Sequence, residues 1–302
     1  AVMIKKKRII WNWYGNQKQI KDGIHMCGYK ENRGSLPSYA WSPWKEGRSG
    51  EEQRELQEIQ EIRIPDGIRE LGNYTFYGCR NLMTLEMTDS VKTIGGGSFT
   101  GCGALRKLHV LMEPGGTSCI RDVVSETFHE VYVSIRFRNS SEGAELIFPE
   151  YYEEGVENTP ARILETHYHG CGYKYRQCFL EKKVDYQGYD RLFYLAKVNE
   201  KPEILLPMAM GRLLWPWDLG SQAEEEYLEY MKEHVLECGL YYMEQEDWNQ
   251  AFSYLGQRKL WTEEAMDQVI REASGKGRAE MVGYLMEEKR RLFAKRKKTF
   301  DL

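Results

Sequence analysis

Two imidazoles and two thiols fall within twelve residues: His167, His169, Cys171 and Cys178. Imidazole nitrogen and thiolate sulfur are the ligands zinc prefers. On a strand, His167 and His169 point to the same side, because side chains alternate across the pleat. That shared side is the argument for a metal site, and His25 with Cys27 adds ligands of the right type elsewhere in the chain. The spacing departs from that of a zinc finger, in which close cysteine pairs are separated by a longer loop. The competing reading is a tyrosine-rich edge (Tyr168, Tyr173, Tyr175) whose cysteines are buried as small hydrophobes. This second reading is the one we expect; the first, a metal-binding protein or hydrolase centred on the four residues, is the alternative.

Other groups that do chemistry occur singly or in common pairs. A thiol nucleophile needs a nearby base, and Cys171 or Cys178 has His129, His167 and His169 available, but no recognised catalytic signature surrounds either cysteine. Paired carboxylates suit glycoside hydrolysis. Glu153-Glu154, and Glu165 with Asp185, are such pairs, of a kind too common to distinguish from solvated side chains. Gly95-Gly96-Gly97 and Gly115-Gly116 lack the Lys-Ser/Thr of a phosphate-binding loop and the strand–helix glycine spacing of a dinucleotide site. Lys289-Arg290-Arg291 and Lys295 to Lys298 put cations near a helix C-terminus, where they complement the macrodipole. Glu287 and Glu288 beside them weaken any claim on nucleic acid. The expectation is a chain without catalytic residues, cofactor or metal.

Composition agrees. The chain has 302 residues, 41% hydrophobic and 13% aromatic, enough for buried cores in two domains of ordinary size. Its 42 basic and 46 acidic residues leave a net charge of -4, which favours neither nucleic acid nor an anionic membrane. No apolar run approaches the ~20 residues that span a bilayer. Lys5 to Arg8 precede Ile9-Ile10-Trp11, a run too short for a signal-peptide core. If residue 1 lies near the true start, a cytoplasmic protein is expected. Seven scattered cysteines, an odd number, read as reduced thiols rather than a disulfide framework.

The elements that position these groups begin with a repeat. Residues 62–84 and 85–107 agree at an offset of 23: Ile64 with Met87, Ile68 with Val91, Leu71 with Ile94, Phe76 with Phe99, Gly78-Cys79 with Gly101-Cys102, and Leu82 with Leu105. Repeats of this length stack into a solenoid. Ile62-Arg63-Ile64 alternates like a short strand, and Pro65-Asp66-Gly67 is turn chemistry. A third unit starts at Leu108–Leu111 and degenerates, with Val123, Val124 and Phe128 as its remains. Val131, Val133, Ile135 and Phe137 predict an alternating strand that continues the sheet, and residues 144–148 a second one. Trp11, Trp13, Trp41 and Trp44 are candidates for an N-terminal cap.

These units resemble the BspA-type leucine-rich repeats of bacteria, over about residues 57–111. They depart from that pattern at Tyr74-Thr75 and Gly97-Ser98, where small residues including alanine are usual. The resemblance implies a solenoid and a binding or scaffolding role, and it names no partner.

From about Tyr189 the spacing becomes helical. Ser221 to Glu224 reads as a capping box, Thr262 as a second cap, and Gly275-Lys276-Gly277 as a break before a last helix with Met281, Tyr284 and Leu285. Tyr254-Leu255 and Tyr284-Leu285, 30 residues apart, resemble the helical hairpins of ankyrin-like arrays.

The expected layout is α+β. It has an N-terminal capping segment (1–56), a leucine-rich-repeat and β region (57–148), a tyrosine-rich connection (149–186) and a helical bundle of hairpins (187–302). The tyrosine-rich block is expected to wedge the two halves together, with an external binding surface as its alternative. The expected function is recognition of a protein partner by side chains alternating outward from the repeat strands: Arg63, Glu86, Thr88 and His109. A homo-oligomer closed by the exposed repeat ends is a third possibility.

Overall fold

The computed structural model describes residues 34–158 and 163–293. The chain divides into two compact units, residues 1–200 and 201–302.

The first unit winds as a β-solenoid of about three turns. In chain order it runs β1 (Ser35–Leu36), α1 (Gly50–Gln57), β2 (Glu61–Arg63), β3 (Glu70–Leu71), β4 (Thr84–Thr88), β5 (Thr93–Ile94), β6 (Lys107–Met112), α2 (Ile120–Ser125), β7 (Val131–Phe137) and β8 (Gly143–Phe148). Two sheets result. The larger has the order β2-β4-β6-β7-β8, parallel except for β8, which turns back antiparallel on β7. The smaller, β1-β3-β5, is parallel throughout.

The 23-residue offset is the register of β2, β4 and β6 and of β3 with β5: Ile62 faces Leu85, Leu85 faces Leu108, and Leu71 faces Ile94. Stacking places Phe76 on Phe99 with ring centroids 5.4 Å apart, and both rings are buried. Each repeat cysteine donates its S–H to a carbonyl one coil earlier, Cys79 to Trp41 at 3.3 Å and Cys102 to Phe76 at 3.1 Å. A larger side chain there would separate the coils.

Trp41 therefore holds the place of Phe76 in a preceding coil. That coil is longer, 35 residues from Leu36 to its partner Leu71 (71 − 36), because α1 is inserted in it. Ser49 caps α1 in a reciprocal box with Glu52. Trp41 is thus a core residue, whereas Trp44 lies exposed across Gly78; Trp11 and Trp13 fall outside the described residues.

The third coil closes on α2, whose Val123 and Val124 are buried as expected. Phe128 is not part of that core: it is 51% exposed and packs against Tyr151. The strand expected at Val131 to Phe137 is present, each odd-numbered residue buried and each even-numbered one half-exposed. The outer edge of β8 is held by Tyr189, whose hydroxyl donates to Ile147 O and accepts from Ile147 N, each at 2.8 Å.

A hairpin follows, β9 (Tyr152–Asn158) with β10 (Ile163–His169), then α3 (Gly172–Tyr175), the short pair β11 (Phe179–Leu180) and β12 (Lys183–Val184), α4 (Tyr186–Asp190) and α5 (Phe193–Asn199). Arg176 knits this segment to the solenoid. Its buried guanidinium donates to the carbonyls of Val124 (2.9 Å), Thr127 (3.0 Å), His129 (2.7 Å), Gly172 (3.0 Å) and Pro149, and lies over the Tyr151 ring. Burial lowers its pKa to about 10. Tyr175 and Tyr189 pack edge to face within this unit, beneath Phe148.

The second unit is helical: α6 (Pro202–Leu214), α7 (Ser221–Glu233), α8 (Val235–Met243), α9 (Trp248–Gln257), α10 (Glu263–Gly275) and α11 (Ala279–Phe293). Thr262 caps α10, its hydroxyl accepting from Ala265 N at 3.1 Å. The box expected at Ser221 is absent. Gly220 is the N-cap of α7 and supplies no side-chain bond, so Ser221 already lies inside the helix. Among the described residues, no helix is long and apolar enough to cross a membrane.

Candidate functional site

The four metal-type residues do not converge. Register pairs His167 with Glu154 and His169 with Tyr152, which puts both imidazoles on one exposed face of the β9–β10 hairpin. Each finds a carboxylate there, His169 with Glu154 at 2.9 Å and His167 with Glu165 at 3.6 Å. Cys171 and Cys178 instead point into the interior, Cys171 donating to Glu200 at 3.0 Å and Cys178 to Lys174 O at 3.6 Å.

The strand period that brought the histidines together ends at His169, where Gly170 (φ 84°) reverses the chain into α3. Among the described residues, no three His, Cys, Asp or Glu side chains are grouped to hold a metal ion. His25 and Cys27 lie outside those residues. The metal-centred alternative is therefore not supported.

The nucleophile reading fails on the same geometry. Burial raises the thiol of Cys178 to about 12 and that of Cys171 further, with Glu200 adding to the rise. Neither supplies a thiolate near neutral pH. His129 is bonded through Nε2 to Leu105 O. The carboxylate pairs also separate. Glu153 and Glu154, adjacent on β9, project to opposite faces, and Asp185 caps α4 by accepting from Gly188 N at 2.8 Å.

The outward face of the larger sheet does bring side chains together. Parallel register sets Arg63, Glu86, His109 and Ser134 in one row across β2, β4, β6 and β7, and antiparallel pairing extends it to Glu145 on β8. The row forms because these residues alternate with the buried Ile62, Leu85, Leu108, Val133 and Leu146. Its first four residues line an open groove of about 390 Å³, whose lining also includes Arg136 and Leu111. Arg63 forms an ion pair with Glu86, and Arg136 with Glu145; Ser134 donates to Glu145 at 2.7 Å. Burial holds the pKa of His109 below its ordinary 6.5, aided by Lys107, Arg136 and Arg63 and opposed by Glu86, so the imidazole is neutral at physiological pH.

Thr88 sits differently from the other three. It is 3% exposed, and its hydroxyl donates to Asp66 at 2.9 Å and lies 2.7 Å from the Ser90 hydroxyl. Asp66 in turn joins Asp89 and Glu113 around Arg138, at 3.3, 3.2 and 3.7 Å. Ser134, Arg136 and Glu145 were missed from sequence because they lie beyond the clear repeat. Their signal was the outward phase of the strands expected at Val131–Phe137 and at 144–148.

Residues 54–132 match the family model described as "BspA type Leucine rich repeat region (6 copies)". No curated protein and no solved structure matches the chain. The solenoid segment is thus similar to BspA-type leucine-rich repeats, a group that generally binds or scaffolds rather than catalyses.

Proposed function

We propose that the chain is a recognition module that docks a protein partner on the outward face of its larger sheet, at Arg63, Glu86 and His109, with Thr88 forming part of the groove wall. One observation carries this reading: Arg63, Glu86 and His109 lie in register along an open groove. Rigid parallel strands hold such a row without further ordering, which lowers the entropy lost on binding. Ser134 and Arg136 belong to the same surface.

The helical unit is read as a second surface, of ankyrin-like hairpins. Leu255 and Leu285, 30 residues apart, are both fully buried, on α9 and α11, which supports equivalent positions in a repeated unit. A reducing compartment such as the cytoplasm suits the six described cysteines, all of them free thiols.

Capture from native cell extract tests the docking face. The wild-type chain is expected to retain a specific protein that the Arg63→Ala/Glu86→Ala/His109→Ala variant, folded to the same midpoint, releases. Equal retention of every captured protein by the two would show that the face is not the docking surface.

A further inference from the structure

Beside the groove's His109, one exposed lysine on the same strand completes a pair of polar side chains that make no bond within the described residues. Lys107 and His109 stand two residues apart on the outward side of β6, the middle strand of the sheet. Among the described residues, neither has a hydrogen-bond or ion-pair partner. The charges around them are neutralised from within, Arg63 by Glu86 on one side and Arg136 by Glu145 on the other.

In register, Lys107 is flanked by Thr84 and Tyr132, and His109 by Glu86 and Ser134. The Tyr132 hydroxyl is occupied by Glu130, and Ser134 by Glu145. What remains at the middle is one unmatched ammonium beside a half-buried imidazole that still has an N–H to give. Both donors reach solvent, so a ligand that supplies an acceptor replaces water and meets no competing partner from the protein.

We infer that Lys107 and His109 form a carboxylate-binding pair, and that this face recognises an aspartate or glutamate side chain presented by a partner protein. The inference rests on the reading of this face as a docking surface. An ammonium–carboxylate hydrogen bond is charge-assisted and roughly twice as strong as a neutral one. A cationic partner group would meet Lys107 unshielded, and a neutral amide would leave the ammonium unmatched. Glu86 is the one carboxylate facing the imidazole, and Arg63 already holds it.

Binding a carboxylate also favours the protonated imidazole. The groups facing it are Glu86 from β4, Arg63 from β2, Lys107 on its own strand and Arg136 from β7. Burial and the three cations keep it neutral in the free protein, and the incoming anion opposes them. Binding therefore takes up protons, and affinity rises as pH falls through the titration of His109.

The test uses the full chain labelled with ¹⁵N-histidine, the His109 signal being assigned with His109→Gln. Three Gly-Ser peptides of equal length are titrated, carrying three glutamates, three lysines or three phosphoserines. The glutamate peptide is expected to move the His109 signal saturably and to raise its titration midpoint. Lys107→Met should weaken that binding about tenfold, the equivalent of one modest ion pair, and the lysine peptide should leave the signal in place.

No movement of His109 with the glutamate peptide, equal movement with the lysine peptide, or unchanged affinity in Lys107→Met would each overturn the pair. Tighter binding of the phosphoserine peptide would reassign it to phosphate. If the Arg63/Glu86/His109 variant still releases its captured protein while the glutamate peptide is silent, the docking face stands and the carboxylate assignment alone falls.

Discussion

Every coil of a solenoid leaves backbone N–H groups for the next coil to satisfy, and the last coil must find another acceptor. Trp41 N donates to Thr75 O at 2.8 Å, and Phe76 N donates to Ser98 O at 3.1 Å. The next donors in this series, Gly97 N and Phe99 N, have no following coil of the same kind. They donate instead to the two oxygens of one carboxylate, Glu126 Oε1 and Oε2, each at 3.0 Å. Glu126 thus stands in for two carbonyls at once. Glu126→Ala is expected to cost about 1–3 kcal/mol, the range for a buried donor left unsatisfied. Glu126→Gln, which keeps one acceptor oxygen, should cost less. Urea midpoints of the three proteins check this order, and equal midpoints for wild type and Glu126→Ala would refute the capping role. Nothing in the sequence marked this residue, because a lone glutamate after Ser125 has the appearance of any solvated side chain until the coil above it is in place.

At the scale of the element, the coils share a backbone signature that their side chains conceal. Tyr39, Tyr74 and Gly97 occupy equivalent places with left-handed φ of 59°, 56° and 71°. A bulky residue in that region is unusual. Tyr74 stacks on Tyr39 with centroids 5.0 Å apart, and on its other side lies over Gly97. A Cβ at 97 would come within 2.4 Å of the Tyr74 ring, so glycine is required there by the neighbouring coil as well as by its own φ. Gly97→Ala is expected to destabilise by about 1–3 kcal/mol, the range for overpacking. Tyr74→Ala should remove the clash and leave only the backbone term. A double-mutant cycle reads the difference as a coupling energy, and additive single effects would sink the steric account.

The repeat itself was legible because Phe, Cys, Gly and aliphatic residues recur at one offset. The coil built on Leu36 and Trp41 was not, since α1 breaks that offset and tryptophan replaces phenylalanine. The outward row was legible on β2, β4 and β6 from alternation alone. Its polar chemistry was not, because the burial of Thr88 and the pairing of Arg63 with Glu86 depend on neighbours 22 and 23 residues away. The histidine–cysteine cluster misled for a related reason. Proximity in sequence says nothing about which side of a turn each group takes, and Gly170 sends the imidazoles and the thiols apart.

At the scale of the whole molecule, the cysteines report how completely each unit is packed. Cys79, Cys102 and Cys119 sit inside the coils, Cys171 and Cys178 under the segment that follows, and Cys238 on α8 of the helical unit; all six are buried and unpaired. Burial raises every one of these thiols, Cys102 and Cys119 to about 12 and Cys238 beyond that. A thiol reacts as its thiolate, so low accessibility and a raised pKa slow alkylation together, and raising the solution pH to 8 or 9 does not release the reaction. Iodoacetamide labelling at pH 8, followed by peptide mass spectrometry, is therefore expected to leave all six untouched in the native protein and to modify them fully in denaturant. Cys79, Cys102 and Cys119 should appear at a single denaturant concentration, because their coils share one interior and a coil cannot open without exposing the one stacked on it. Labelling of Cys171 or Cys178 in the native protein at the rate of a free thiol would contradict their burial and restore the reactive-cysteine reading.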